Sequence, residues 1–150
     1  MITISKDEAL VGVDTAWVQE DMQMLLDALG YEDFDLGIML TTNDVIRDYN
    51  ERYRGIDKPT DVLSFPYHLE LVAGERIEPE SDDDKALGDI IISLEYVQKQ
   101  KPDEPLRDVV RVLLVHGLCH LLGYTHDADA DHEQMLRKEQ ELLGHLAQSS

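Results

Sequence analysis

Three histidines near the carboxyl end of the chain have the spacing of metal ligands. Residues 116–126 read HGLCHLLGYTH, which places His116, His120 and His126 at positions i, i+4 and i+10. Because an α-helix turns about 100° per residue, His116 and His120 would lie about 40° apart on one helix face. Gly123 can adopt a positive φ and end the helix, so that the following turn brings His126 to the same point.

Three imidazole nitrogens leave one position of a tetrahedral site open, which is typical of catalytic rather than structural zinc. The sequence therefore predicts a Zn²⁺ site, although imidazole also suits other divalent transition metals. The alternative is that these are ordinary hydrogen-bonded histidines. We interpret His68, His132 and His145 in that ordinary way, with His132 as a rival third ligand.

A metal with an open position favours hydrolysis, and two residues bear on the kind of bond cleaved. Zinc peptidases carry a glutamate base directly after the first histidine, whereas Gly117 stands there in this chain. Phosphodiester cleavage needs a cation for the phosphate oxygens, and arginine suits that role. Arg54, in a turn-rich loop at residues 54–59, is the candidate; its alternative is a surface salt bridge with Asp57 or Asp61.

Length and composition indicate one hydrolase domain over residues 1–150, with 43% hydrophobic residues to form its core. No apolar run approaches the roughly 20 residues of a membrane span. The first residues show no secretory signal, and a single cysteine, Cys119, fits a reducing compartment. We therefore expect a cytoplasmic protein with no membrane partner.

The net charge of −19 opposes binding of a polyanion, which depends on Lys and Arg. Eight of the thirteen bases lie in two segments near the predicted site, so local potential can differ from net charge. The alternative is that they are solvated helix faces neutralised by acids. They are Arg47, Arg52, Arg54, Lys58, Lys99, Lys101, Arg107 and Arg111.

Hydrophobic periodicity predicts alternating strands and helices. Strands are expected at residues 2–5, 36–41, 62–65 and 88–93, and a solvated loop at 67–86. The first helix is expected to begin at a cap, Asp14 or Thr15, and to end at 29, and the second to run from a cap at Thr42 or Asn43 to about 53. Three more helices are expected from Ser93 to about 101, from 105 to beyond 116, and at 130–146. The fold class is therefore α/β (α+β), with a small three- to four-stranded mixed sheet, about five helices and the metal site on a central helix.

Residues 116–126 resemble the signature of the YbeY family, bacterial rRNA maturation factors described as metal-dependent endoribonucleases. Residues 50–66, NERYRGIDKPTDVLSFP, and 87–93, LGDIIIS, resemble two further blocks of that family in the same order. The resemblance implies an α/β fold with zinc at one end of a cleft, held by His116, His120 and His126. It also implies a functional arginine at Arg54 and an essential role for His116 in activity.

The same resemblance implies single-strand-specific cleavage in 16S rRNA 3′-end maturation and ribosome quality control. The expected partners are rRNA and the small ribosomal subunit, together with ribosomal or assembly-factor proteins, and no DNA. Two rival functions stay open. One is a zinc metallopeptidase with its base elsewhere, and the other is a non-catalytic ribosome assembly factor with a structural metal.

Two residues depart from the family pattern. Thr125 stands where an aspartate usually precedes the last histidine, and Asp127 is a candidate substitute for that carboxylate. Cys119 stands where leucine is usual. We expect Cys119 to pack in the core, because thiolate ligation would close the open metal position.

Overall fold

The computed structural model describes residues 1–148 of the chain. Within that range the strands are β1 (Ile2–Lys6), β2 (Asp35–Thr41), β3 (Val62–Pro66) and β4 (Ala86–Ser93). The α-helices are α1 (Ala16–Leu29), α2 (Asn43–Arg54), α3 (Leu94–Gln100), α4 (Leu106–Leu121) and α5 (Asp129–Gln148). This confirms the predicted α/β class with a mixed four-stranded sheet and five helices. No helix of the described residues is long and apolar enough to cross a membrane.

The four strands form one sheet in the order β1-β2-β4-β3. β1, β2 and β4 run parallel, while β3 pairs antiparallel with β4 and forms one edge of the sheet. The register places Ile38 beside Ile90 and Leu40 beside Ile92. Because side chains alternate across a strand, these four residues project from the same face.

The two faces of the sheet carry cores of different size. The larger core packs the Ile38 and Ile90 face against α1, α4 and α5. On the opposite face, Ile46 of α2 packs with Leu63 and Ile91. Because α2 covers only part of that second face, a wide groove remains beside it, lined by residues of all four strands.

Helix α4 lies against β3 and β4 and also contacts α5. A Cβ at position 117 would lie 3.0 Å from Ile90 Cγ2, so Gly117 marks the close approach of this helix to the sheet. Gly123 has φ 93°, as predicted for the helix-ending turn. A Cβ there would lie 2.6 Å from the Leu71 carbonyl oxygen. Gly117 and Gly123 therefore allow the helix and the turn that carry the histidines to pack closely against the sheet and against Leu71.

Two details of the fold correct the sequence-based prediction. Helix α2 extends through Arg54, so this residue occupies the last helical position and not the following loop. The reason is Gly55, whose φ of 70° supplies the left-handed C-cap one residue later than expected. The predicted loop at 67–86 also contains a short 3₁₀ turn, Asp82–Asp84.

Candidate metal centre and its groove

The three predicted histidines converge. His116 and His120 lie on the last turns of α4, and His126 follows the Gly123 turn. One ligand atom of each lies within 4.8 Å of the others. The Nε2 atoms of His116 and His120 are 3.1 Å apart, close to the roughly 3.3 Å between two nitrogens of a tetrahedral zinc site with Zn–N bonds of about 2.0–2.1 Å. The cluster can therefore hold one metal ion.

Neighbouring groups orient two of the rings. His120 Nδ1 lies 2.9 Å from the Tyr124 carbonyl oxygen, which only accepts hydrogen bonds, so Nδ1 carries the proton and Nε2 keeps its lone pair. The Glu139 carboxylate lies 3.4 Å from His116 Nδ1 and favours the same tautomer there. Two lone pairs facing each other at 3.1 Å repel unless a cation lies between them, so the donor set fits a metal.

Burial is the main cause that lowers the pKa of His120, followed by the neighbouring His116. The lowered pKa keeps this imidazole neutral, as metal ligation requires. Burial also raises the pKa of the Cys119 thiol to about 12, and the side chain is fully buried. Cys119 is therefore a buried core residue, as the sequence predicted, and lies outside the histidine cluster found among the described residues.

Glu139 is a residue of the site that the sequence reasoning missed. Its side chain is 16% exposed and belongs to α5. The expected carboxylate was Asp127, but Thr125 and Asp127 are exposed, and within residues 1–148 neither side chain forms a hydrogen bond or ion pair with the three histidines. One signal pointed to Glu139: it lies four residues after buried Met135, so it shares the buried face of that helix.

The histidines open onto a groove of about 550 Å³, and Arg54 lines the same groove. The edge strand β3 also lines this groove, through residues that include Ser64 and Pro66. Arg54 is exposed and makes no ion pair within the described part of the chain. The alternative salt bridge with Asp57 or Asp61 is therefore absent there too, and Asp57 pairs with Arg47 at 2.7 Å instead. The structure thus brings Arg54 and the histidine cluster to one groove.

The loop after Arg54 is held by hydrogen bonds to the buried residue Asn50. Buried Asn50 donates from Nδ2 to the Lys58 carbonyl oxygen at 2.8 Å, and its backbone carbonyl accepts from the Ile56 amide. These bonds tie the loop to helix α2. They fix the direction in which the chain leaves Arg54 and enters β3.

The remaining histidines separate into two kinds. His132 and His145 do not join the cluster found among the described residues, in which His126 and not the rival His132 is the third histidine. His68, predicted as ordinary surface, lines the groove, and its Nε2 lies 2.9 Å from the Asp84 carbonyl oxygen. The isolated position of His68 in the sequence gave no signal of this placement.

Most of the bases near the site are neutralised. Arg107 and Arg111 pair with Asp21, a carboxylate that is 3% exposed, across α1 and α4. Arg47, Arg52, Lys99 and Lys101 pair with nearby acids at 2.7 to 4.0 Å. Of the eight bases, only Arg54 and Lys58 are without an ion pair in the described residues, so the interpretation as neutralised helix faces holds for the other six.

The fold and the site define a small α/β protein that can hold a metal ion beside an arginine-lined groove. A family model described as Endoribonuclease YbeY matches residues 3–147. The chain belongs to the YbeY endoribonuclease family. The family resemblance carried by three sequence blocks is thereby confirmed.

Individual relatives agree with this assignment. An Endoribonuclease YbeY of Homo sapiens is 40% identical over 146 residues, covering 97% of this chain and 87% of the relative. One of Pelotomaculum thermopropionicum is 37% identical, covering 95% and 90%. A solution structure of a Thermotoga maritima protein superposes with a TM-score of 0.59 at 22% identity, covering 99% and 93% of the two chains. That last likeness concerns the fold alone.

Proposed function

We propose that this chain is a metal-dependent, single-strand-specific endoribonuclease, formed as one hydrolase domain over residues 1–150. The observation that carries the proposal is the convergence of three imidazole nitrogens in a groove that also contains Arg54. Relatives at 34–42% identity named Endoribonuclease YbeY support the reaction class. The biological substrate in this proposal is 16S rRNA at its 3′ end, in maturation and quality control of the small ribosomal subunit.

In this proposal His116, His120 and His126 hold one zinc ion. When bound, zinc supplies Lewis acidity and allows a water molecule to ionise near neutral pH. The neutral state of His120 and the carboxylate beside His116 both favour a bound cation. His116 is catalytic in the sense that its Nε2 faces the reacting centre, while Glu139 is a positioning residue behind it.

Arg54 binds the scissile phosphate. Its guanidinium is always charged, and its planar fork donates two hydrogen bonds to one phosphate. Because no acid of the described residues pairs with Arg54, its donors are available to a substrate in the groove. They stabilise the negative charge that develops on the phosphoryl oxygens during cleavage.

The rival functions are not favoured. A peptidase of the zincin type needs a glutamate at the position of Gly117, where even a Cβ would lie only 3.0–3.2 Å from the Ile90 side chain. A non-catalytic assembly factor would not need an arginine without an acidic partner beside an open metal position. We further propose cytoplasmic action on ribosomal particles, with ribosomal or assembly-factor proteins as additional partners, and no membrane or DNA partner.

A matched pair of arginine variants tests the proposed function. Arg54→Ala should reduce cleavage of a 16S 3′-terminal precursor RNA by about 10²-fold or more, as expected for loss of a transition-state donor. Zinc content and melting temperature should stay unchanged, because Arg54 is exposed. The control is Arg52→Ala, which removes an exposed arginine paired with Asp48 on the same helix and should leave the rate near that of the parent. Equal rates for all three proteins would contradict the assignment.

A further inference from the structure

A second groove lies on the opposite face of the sheet, beside helix α2. Its volume is about 830 Å³, and four aromatic rings line it: Tyr49, Tyr53, Phe65 and Tyr67. The first two belong to α2, and the other two lie on and just after β3. The groove is thus an aromatic surface on a sheet face that the described helices leave partly open.

Two of these rings are presented to solvent. Tyr53 is 62% exposed and Tyr67 is 50% exposed. Phe65 supports Tyr53 from below in an edge-on contact, with ring centroids 5.2 Å apart. Tyr49 stacks nearly parallel to Tyr53 at 6.1 Å. The packing holds Tyr53 in place while one side of its ring stays accessible.

The aromatic groove and the histidine groove share no lining residue, but residues adjacent in sequence line the two. Tyr53 lies in one groove and its neighbour Arg54 lines the other. In the same way Tyr67 lies in the aromatic groove while His68 lines the histidine groove. Because β3 is an edge strand, a strand of substrate can cross this edge from one groove to the other without passing through the protein.

The charged side chains that line the two grooves indicate which part of a nucleic acid each groove can bind. The aromatic groove is also lined by two exposed carboxylates: Asp35 pairs with the Met1 amino group at 3.0 Å, whereas Asp89 has no ion pair in the described residues and repels phosphate. Arg54 and the metal site attract phosphate on the other side of β3. Aromatic rings accept any base by stacking, and a carboxylate can accept hydrogen bonds from base amino groups.

We propose that Tyr53 and Tyr67 are stacking sites for unpaired bases that flank the phosphate held at Arg54. This inference rests on the proposed endoribonuclease function and extends it to the binding of neighbouring nucleotides. It gives a physical reason for single-strand specificity, since a base must leave its pair to stack on either ring. A paired strand cannot place its bases across the β3 edge.

Ring-specific substitutions test the inference. Tyr53→Leu and Tyr67→Leu keep apolar bulk but remove the aromatic ring, whereas Tyr53→Phe and Tyr67→Phe keep the ring. With a short single-stranded RNA carrying 2-aminopurine, each Leu variant should raise KM about tenfold, which corresponds to 1.4 kcal/mol, with kcat near that of the parent. The quenching of 2-aminopurine fluorescence on binding should fall in the Leu variants and persist in the Phe variants.

Tyr96→Leu is the control, because Tyr96 lies on α3 and lines neither groove. Unchanged KM and unchanged quenching in both Leu variants of an active parent would overturn the stacking surface and leave the endoribonuclease function intact. The stacking surface is equally overturned if the Leu variants only dissolve a dimer of this chain, seen by sedimentation, without a change in KM. A parent that neither binds nor cleaves RNA would overturn both proposals.

Discussion

At the scale of single residues, the site depends on how each imidazole is held. The Tyr124 carbonyl fixes the ring of His120, and the Glu139 carboxylate faces the ring of His116. Such outer contacts set the tautomer and the basicity of a ligand histidine. Thr125 brings no carboxylate to His126, whereas α5 brings the carboxylate of Glu139 to His116.

Removal of that carboxylate should weaken metal binding. Glu139→Ala is expected to lower zinc affinity by about 10- to 100-fold, the usual cost of losing an outer-shell partner. Competition with a chromophoric chelator measures this affinity. The control is Glu133→Ala, which removes an exposed acid from the same helix and should leave the affinity unchanged. Equal zinc affinity for the two variants would show that Glu139 does not orient His116.

The sequence predicts the three histidines but not Glu139, for a physical reason. Spacing within one helix and one glycine turn fixes the positions of His116, His120 and His126, whereas Glu139 arrives through packing of α5 on α4. His68 escapes prediction for the same reason, since a loop brings it to the groove. The sequence does identify Arg54, but with the wrong local structure, because the helix cap lies at Gly55 directly after it.

At the scale of elements, the approach of α4 to the sheet determines which chemistry the site can carry. Gly117 lies where a peptidase would have its glutamate base, and Ile90 of β4 fills the adjacent space. A larger side chain would require Ile90 or the helix itself to shift. The same helix is fixed to α1 through the buried carboxylate of Asp21, which accepts from Arg111 at 2.6 Å.

Introduction of the missing glutamate should therefore damage the fold. Gly117→Glu should lower the free energy of unfolding by about 3 kcal/mol or more, because it combines overpacking with a buried charge. Denaturant unfolding measures the change. Gly144→Glu is the matched control, since nothing lies within 4 Å of a Cβ at that position of α5, and it should be near neutral. A stable Gly117→Glu protein with peptidase activity would contradict this view of the helix.

At the scale of the whole molecule, charge is distributed so that few cations are available to RNA. The net charge is −19, and six of the eight bases near the site have acidic partners in the described structure. Among these eight, attraction of RNA should therefore come from Arg54, which lines the groove, and from Lys58, four residues further along the chain. Recognition of RNA outside this region must come from contacts with its nucleobases rather than with its phosphates.

This distribution predicts a weak dependence of RNA binding on salt. Each neutralised phosphate of a single strand contributes about −0.7 to the slope of log K against log salt concentration. If RNA contacts only Arg54 and Lys58, the two cations near the site without an acidic partner in the described residues, the slope should be about −1.4, measured by titrating a short single-stranded RNA at several salt concentrations. A slope of about −4 or steeper would mean that Lys and Arg side chains leave their acidic partners to contact RNA.

The proposed function depends above all on zinc at the three histidines, and a zinc titration of RNA cleavage tests this dependence. Purified protein would be stripped with a chelator, shown to remain folded, and titrated with zinc while cleavage of a single-stranded 16S precursor RNA is measured. We predict that activity rises in proportion to bound zinc up to one ion per chain, and that His120→Ala neither binds this ion nor cleaves. Cleavage by the folded, zinc-free protein at the rate of the zinc-loaded protein would contradict the proposed function.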